Sequence, residues 1–155
     1  MVYYAHCKGK DRLIRLEDQK MTRREAREEV LNLLFESEFR SDENEKEIYA
    51  TSKENREFAD DDYIDRAYFK IVESKEEIDA TIGEHAHGWK TQRLSRVSRA
   101  ILRLAVYELL YEKDIPASVT INEAVELSKK YDEDKARAFI NGVLNSVKNS
   151  LDAEK

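Results

Sequence analysis

The chain has 155 residues, 41% hydrophobic and 39% charged, with a net charge of −6. That length suits one domain with a core of its own, and four glycines with one proline, Pro116, are too few for the turns of a sandwich or barrel. No apolar run approaches the ~20 residues of a membrane span, the N-terminus lacks the apolar stretch of a signal peptide, and the lone cysteine, Cys7, has no internal disulfide partner, so the expected compartment is the cytoplasm.

Residues 1–20, MVYYAHCKGKDRLIRLEDQK, show no sustained periodicity. They read as a flexible leader or as an over-extended start, with Met21 the first residue of the fold. The first helix opens at Thr22, which forms the capping box T-x-x-E with Glu25. Val30, Leu33 and Leu34 follow at helical spacing, and the helix is expected to end near Arg40. Residues 41–59 are polar and acidic, a loop with room for one short helix. Asp60, Asp61 and Asp62 then stand before Ile64, Ala67, Tyr68, Ile71, Val72 and Ile78, a pattern that predicts one long helix to about residue 82.

Gly83 and Gly88 bracket GEHAHG, a break between two halves. Residues 93–113, RLSRVSRAILRLAVYELLYEK, are apolar almost all round at their centre, which predicts a buried helix stopped by Pro116. Thr120 and Glu123 spell a second capping box, opening a helix to about Tyr131. Ala136, Ile140, Val143, Leu144, Val147 and Leu151 keep one face of a final helix. The expected architecture is all-α: a domain over 21–151 made of two packed sub-bundles of about three to four helices each, 21–82 and 93–151.

Charge is unevenly spread. Residues 41–91 hold 15 acidic against 7 basic side chains, whereas residues 92–155 hold 11 basic against 10 acidic. A net-acidic chain binds nucleic acid only through a local basic patch. MTRREAREEV, residues 21–30, supplies one candidate in Arg23, Arg24 and Arg27. At about 100° per residue these three continue the apolar stripe of the first helix toward its N-terminal end, while Glu25, Glu28, Glu29 and Glu36 take the back. Positive charge in a first turn opposes the helix dipole by ~0.3–1 kcal/mol each, and the Arg24–Glu28 pair returns only ~0.2–0.5 kcal/mol. Two readings stay open: phosphate contacts through bidentate hydrogen bonds on an exposed rim, or pairing with acids of residues 41–65.

Arg93, Arg96, Arg99 and Arg103 form a second basic row, either the only wet face of its helix or a second phosphate strip or partner groove. In KARAFINGV, residues 135–143, Lys135, Phe139 and Gly142 read as a base-stacking shelf or as ordinary core. Catalytic signatures are missing: there is no P-loop, no G-x-G-x-x-G and no nucleophile elbow. His85 and His87 are two apart and suit a surface loop better than a metal site. Glu108, set among apolar residues, is either a raised-pKa acid or a buried partner of an arginine or amide. No enzyme activity, metal or cofactor is expected.

The stretches RAILRLAVYELLY, INEAVELSKKY and FINGVLN, in this order, together with R-R-x-x-R leading to LNLLF, resemble the NusB family of transcription antitermination factors over about residues 21–150. The resemblance implies an all-helical protein that binds boxA RNA together with NusE, a small-subunit ribosomal protein. It implies assembly with NusA, NusG and RNA polymerase, suppressing termination and supporting ribosomal RNA synthesis. By the same resemblance, RNA contacts fall on Arg23, Arg24, Arg27, Phe35, Lys135 and Phe139, and NusE contacts on Ser98, Glu108 and Tyr111. Glu25 interrupts the arginine run where some relatives stay basic. The alternative is a NusB-like RNA-docking or protein-interaction module, as in some ribosomal RNA cytosine methyltransferases. No cofactor-binding βα pattern follows residue 150, which favours the stand-alone factor.

Overall fold

The computed structural model describes residues 20–87 and 94–154. Among them are seven α-helices and no strand: α1 (Arg23–Phe39), α2 (Glu45–Arg56), α3 (Asp62–Glu73), α4 (Lys75–His85), α5 (Arg96–Tyr111), α6 (Ala117–Tyr131) and α7 (Asp134–Ala153). The fold is all-α. The expected leader over residues 1–20 lies outside the described residues apart from Lys20, and so does Arg93.

Several helix starts carry a side-chain cap. The capping box at α1 is complete: the Glu25 amide donates to the Thr22 hydroxyl at 3.1 Å, and the Thr22 amide donates to the Glu25 carboxylate at 2.9 Å. Asp61 caps α3 by accepting from the amides of Tyr63 and Ile64. Ser95 caps α5 by accepting from the Ser98 amide at 3.0 Å.

Four expectations need correction. Residues 41–59 hold the full helix α2, capped by Asn44, with Ile48 and Ser52 buried. The long helix over 62–82 is broken at Ser74, which ends α3 and precedes α4. The second half then continues through Gly83 to His85, whose ring Nδ1 lies 2.7 Å from the Ser146 hydroxyl on α7. Thr120 and Glu123 are not a capping box, because α6 starts at Ala117 with Pro116 in the capping position. Proline's fixed φ suits a helix start, and the two side chains are drawn to tertiary partners instead.

α5 organises the packing. Its residues Ala100 to Leu109 are all buried, and it packs against α1, α3 and α4 on one side and α6 and α7 on the other. Solvent reaches it at its two ends, where Arg96 is exposed and Tyr111 half-buried. Ile101, Leu102, Leu104 and Val106 join Val30, Leu33, Ile64, Ile140 and Leu144 in one core cluster. A helix buried on all sides has no face left for its polar residues, so Arg103 and Glu108 must find partners inside.

Candidate nucleic-acid interface

The three arginines of α1 part company. Arg23 is exposed and lays its guanidinium over the Tyr63 ring of α3, 4.3 Å from the centroid. Arg24 turns the other way and forks onto Glu123 of α6, with Nε and Nη2 at 3.0 and 2.8 Å from the carboxylate oxygens. Arg27 points inward. It is 4% exposed and forks onto Glu108 of α5 at 2.7 and 3.0 Å. The expectation of three arginines on one exposed rim is therefore corrected at Arg27, an interior residue that ties α1 to α5. Neither that residue nor Glu108 is placed to touch RNA or a partner protein.

The Arg27–Glu108 pair is fully satisfied. The Thr120 hydroxyl donates to Glu108 at 2.8 Å, and the Tyr63 hydroxyl donates to its other oxygen. Burial works against the Arg27 cation, but the hydrogen bonds and charge of Glu108 outweigh it and hold its pKa above the ordinary value. Burial, followed by the Glu108 charge, pushes the Tyr63 phenol up, so it stays protonated and acts as a donor. Four helices, α1, α3, α5 and α6, thus meet at one carboxylate. This placement resolves Glu108 as a buried structural partner.

The second arginine row is likewise not a solvated strip. Arg103 is 6% exposed and forks onto Asp79 of α4 at 2.8 Å for both bonds, while its third nitrogen reaches Glu38 of α1 at 2.9 Å. Arg99 pairs with the same Glu38 at 2.9 Å. Arg96 alone of the described three is exposed, with its guanidinium 4.3 Å over the exposed ring of Phe39. A buried cation and a half-buried one at i and i+4 on a central helix need carboxylates from its neighbours, and the acids on α1 and α4 supply them.

What remains on the surface forms a face where α1 meets the end of α6. Arg24 and Glu28 lie one turn apart on α1, and Phe35 continues the same ridge at i+11 from Arg24. Across the groove, Lys130 of α6 donates to Glu28 at 2.8 Å and the Tyr131 hydroxyl donates to it at 3.2 Å. Lys129 adds a further exposed cation. Phe35 is half-buried and meets Phe39 edge-on at 5.0 Å. Lys135 is exposed in the first turn of α7, and Phe139, a turn later, packs half-buried against the core. An added Cβ at Gly142 would meet nothing within 4 Å, so no internal packing calls for glycine there.

The three residues expected at a protein partner are scattered. Ser98 is buried at the start of α5 and donates its hydroxyl to Asp132, in the turn between α6 and α7. Tyr111 is at the other end, donating to Glu77 at 2.8 Å with Lys70 over its ring. Lys129, Lys130 and Tyr131, which this face brings beside Arg24, carry no distinctive signal in the sequence. They stand in KKY at the end of a helix, where basic residues are equally well explained as partners of the helix dipole. No group of three or more metal-ligating side chains occurs among the described residues, and no described helix is long and apolar enough to cross a membrane.

The chain as a whole is similar to known proteins. A model of the NusB family matches residues 24–149. The chain is 43% identical to the transcription antitermination protein NusB of Bacillus pumilus (strain SAFR-032) over 131 residues, covering 84% of this chain and 98% of that relative. Among solved structures it resembles T. maritima NusB, at 38% identity and a TM-score of 0.75, covering 84% of this chain and 93% of that one. It also resembles a chain in the structure of antitermination factors NusB and NusE in complex with dsRNA, at 31% identity and a TM-score of 0.74, covering 83% and 96%.

Proposed function

Since the chain belongs to the NusB family, we propose that it is a transcription antitermination factor. It binds a boxA-type sequence in nascent ribosomal RNA together with NusE, joins NusA and NusG at RNA polymerase, suppresses termination and supports ribosomal RNA synthesis. The observation that carries this reading is the likeness, over 83% of the chain, to a chain of the structure that brings NusB and NusE together with dsRNA.

The chemistry of the face between α1 and α6 supports it. Arg24, Lys129, Lys130 and Lys135 put four exposed cations along α1, the end of α6 and the start of α7. Arg23, exposed on its tyrosine, extends the line around the helix N-terminus. Phe35 and Phe139 are the aromatic residues offered to bases. Arg27 serves by holding α1 against α5. NusE contacts are proposed near the start of α5, where Ser98 bonds Asp132, and at Tyr111. The test is a gel-shift titration of a boxA-like RNA with and without NusE. NusE should tighten binding, because the heterodimer presents a joint surface. Absence of binding under both conditions rejects the function.

A further inference from the structure

The groove between α1 and α6 is lined by Arg24, Glu28, Glu123, Glu126, Lys129 and Lys130. Its three cations and three carboxylates are matched one to one: Arg24 with Glu123 at 2.8 Å, Lys130 with Glu28 at 2.8 Å, and Lys129 with Glu126 at 3.0 Å. The first two pairs join different helices, and their cations are 62% and 56% exposed while their carboxylates are only 13% and 25% exposed. Exposed ion pairs add little to stability. What these pairs do accomplish is to fill the cations that an RNA phosphate would otherwise find open.

Resting on the RNA-binding reading above, we infer that Glu28 and Glu123 are specificity-determining residues that hold this groove electrically neutral, so that a phosphate reaches Arg24 or Lys130 only by displacing a carboxylate. The physical consequence is distinct. A phosphate meeting an open cation releases a condensed counterion from the RNA. A phosphate that displaces a glutamate does the same, but the freed carboxylate takes a cation back from solution. Net ion release falls, and the salt dependence flattens. A polyanion that offers charge alone gains little from such a groove. An RNA that also places a phosphate in the Arg24 fork and a base against an aromatic ring keeps those contacts.

The test compares Glu28→Gln and Glu123→Gln with Glu54→Gln, an exposed residue of α2 that changes net charge equally. The probes are a heparin column and a noncognate single-stranded oligoribonucleotide. Both groove variants should elute from heparin at higher salt and bind the noncognate RNA about two- to fivefold tighter. Their salt slopes should steepen by about 0.7, and the ratio of boxA-like to noncognate affinity should fall. Glu54→Gln should track the wild type. The Glu28 carboxylate hydrogen-bonds to Lys130 and Tyr131 on the surface, away from the buried Arg27–Glu108 pair, whereas Glu123 also lies 4.0 Å from Arg27. Groove variants that elute with the wild type, or a Glu54→Gln shift of equal size, overturn the inference. A wild type that binds no RNA with NusE present rejects the functional reading, while the heparin elution still decides whether the carboxylates mask the cations.

Discussion

Replacing Arg27 by methionine separates a building residue from a binding one. The substitution keeps the length of the aliphatic stem and removes the guanidinium. The Glu108 carboxylate, 2% exposed, then loses its cation and is left with only the Thr120 and Tyr63 hydroxyls as donors. Breaking a buried pair by removing one partner costs about 3–5 kcal/mol, because the other charge is stranded. For a chain of this size that corresponds to roughly 6–20 °C in Tm, a large part of the ~5–15 kcal/mol that holds a typical domain together. Urea denaturation followed by far-ultraviolet circular dichroism measures it. The double variant Arg27→Met with Glu108→Gln should recover part of the loss, since the stranded charge is gone. A loss below ~1 kcal/mol for Arg27→Met would refute the reasoning, because that is the cost expected of an arginine in solvent.

Removing the capping hydroxyl by Thr22→Ala should lower stability by about 0.5–2 kcal/mol, read in the same denaturation experiment. Gly142→Ala should raise stability by about 0.5–1 kcal/mol, because the position is helical and open; a loss of stability would show hidden packing at that site. For pH, the Arg24 hydrogen bond holds Glu123 below the ordinary glutamate value of 4.5. Burial pushes Glu112 up, but hydrogen bonds from Arg66 and Tyr107 outweigh it and leave it lowered too. Depressed carboxylates give stability that is present above 4.5 and lost as pH falls through their folded values. The urea midpoint should therefore be flat near neutral pH and fall on acidification, and a midpoint rising on acidification would contradict the pairing.

The helices were legible in the sequence wherever apolar spacing and a local cap agreed. Thr22 with Glu25 fixed the start of α1, and the unbroken apolar centre of 100–109 marked α5 as the buried helix. The same pattern misled at Thr120 and Glu123, since a capping box read from spacing alone does not know that Glu108 and Arg24 compete for those side chains. Ser74 broke a periodic run that had no glycine or proline to announce the break. α2 was hidden because only Ile48 and Ser52 of its 12 residues are buried.

The pairing of the candidate site's side chains was not legible in the sequence. A helical wheel placed Arg27 next to the apolar stripe but gave no sign of a carboxylate on α5 waiting for it. Which arginine is interior depends on a partner 81 positions along the chain, and no local pattern carries that. Lys130 joins the face only because α6 ends beside Glu28, 102 positions away. The resemblance to NusB did not supply these pairings either, since it set Arg27 and Glu108 at contact surfaces although both are buried.

Arg24 is the surface member of the arginine cluster and Arg27 the interior one, and a salt titration of RNA binding by fluorescence anisotropy distinguishes the two roles. The measurement takes a boxA-like RNA with NusE present and compares wild type with Arg24→Gln, after confirming an unchanged Tm. Arg24 is 62% exposed, so the expected result is weaker binding and a changed salt slope, by at most about 0.7. Binding by Arg24→Gln that matches the wild type in both affinity and slope would contradict it.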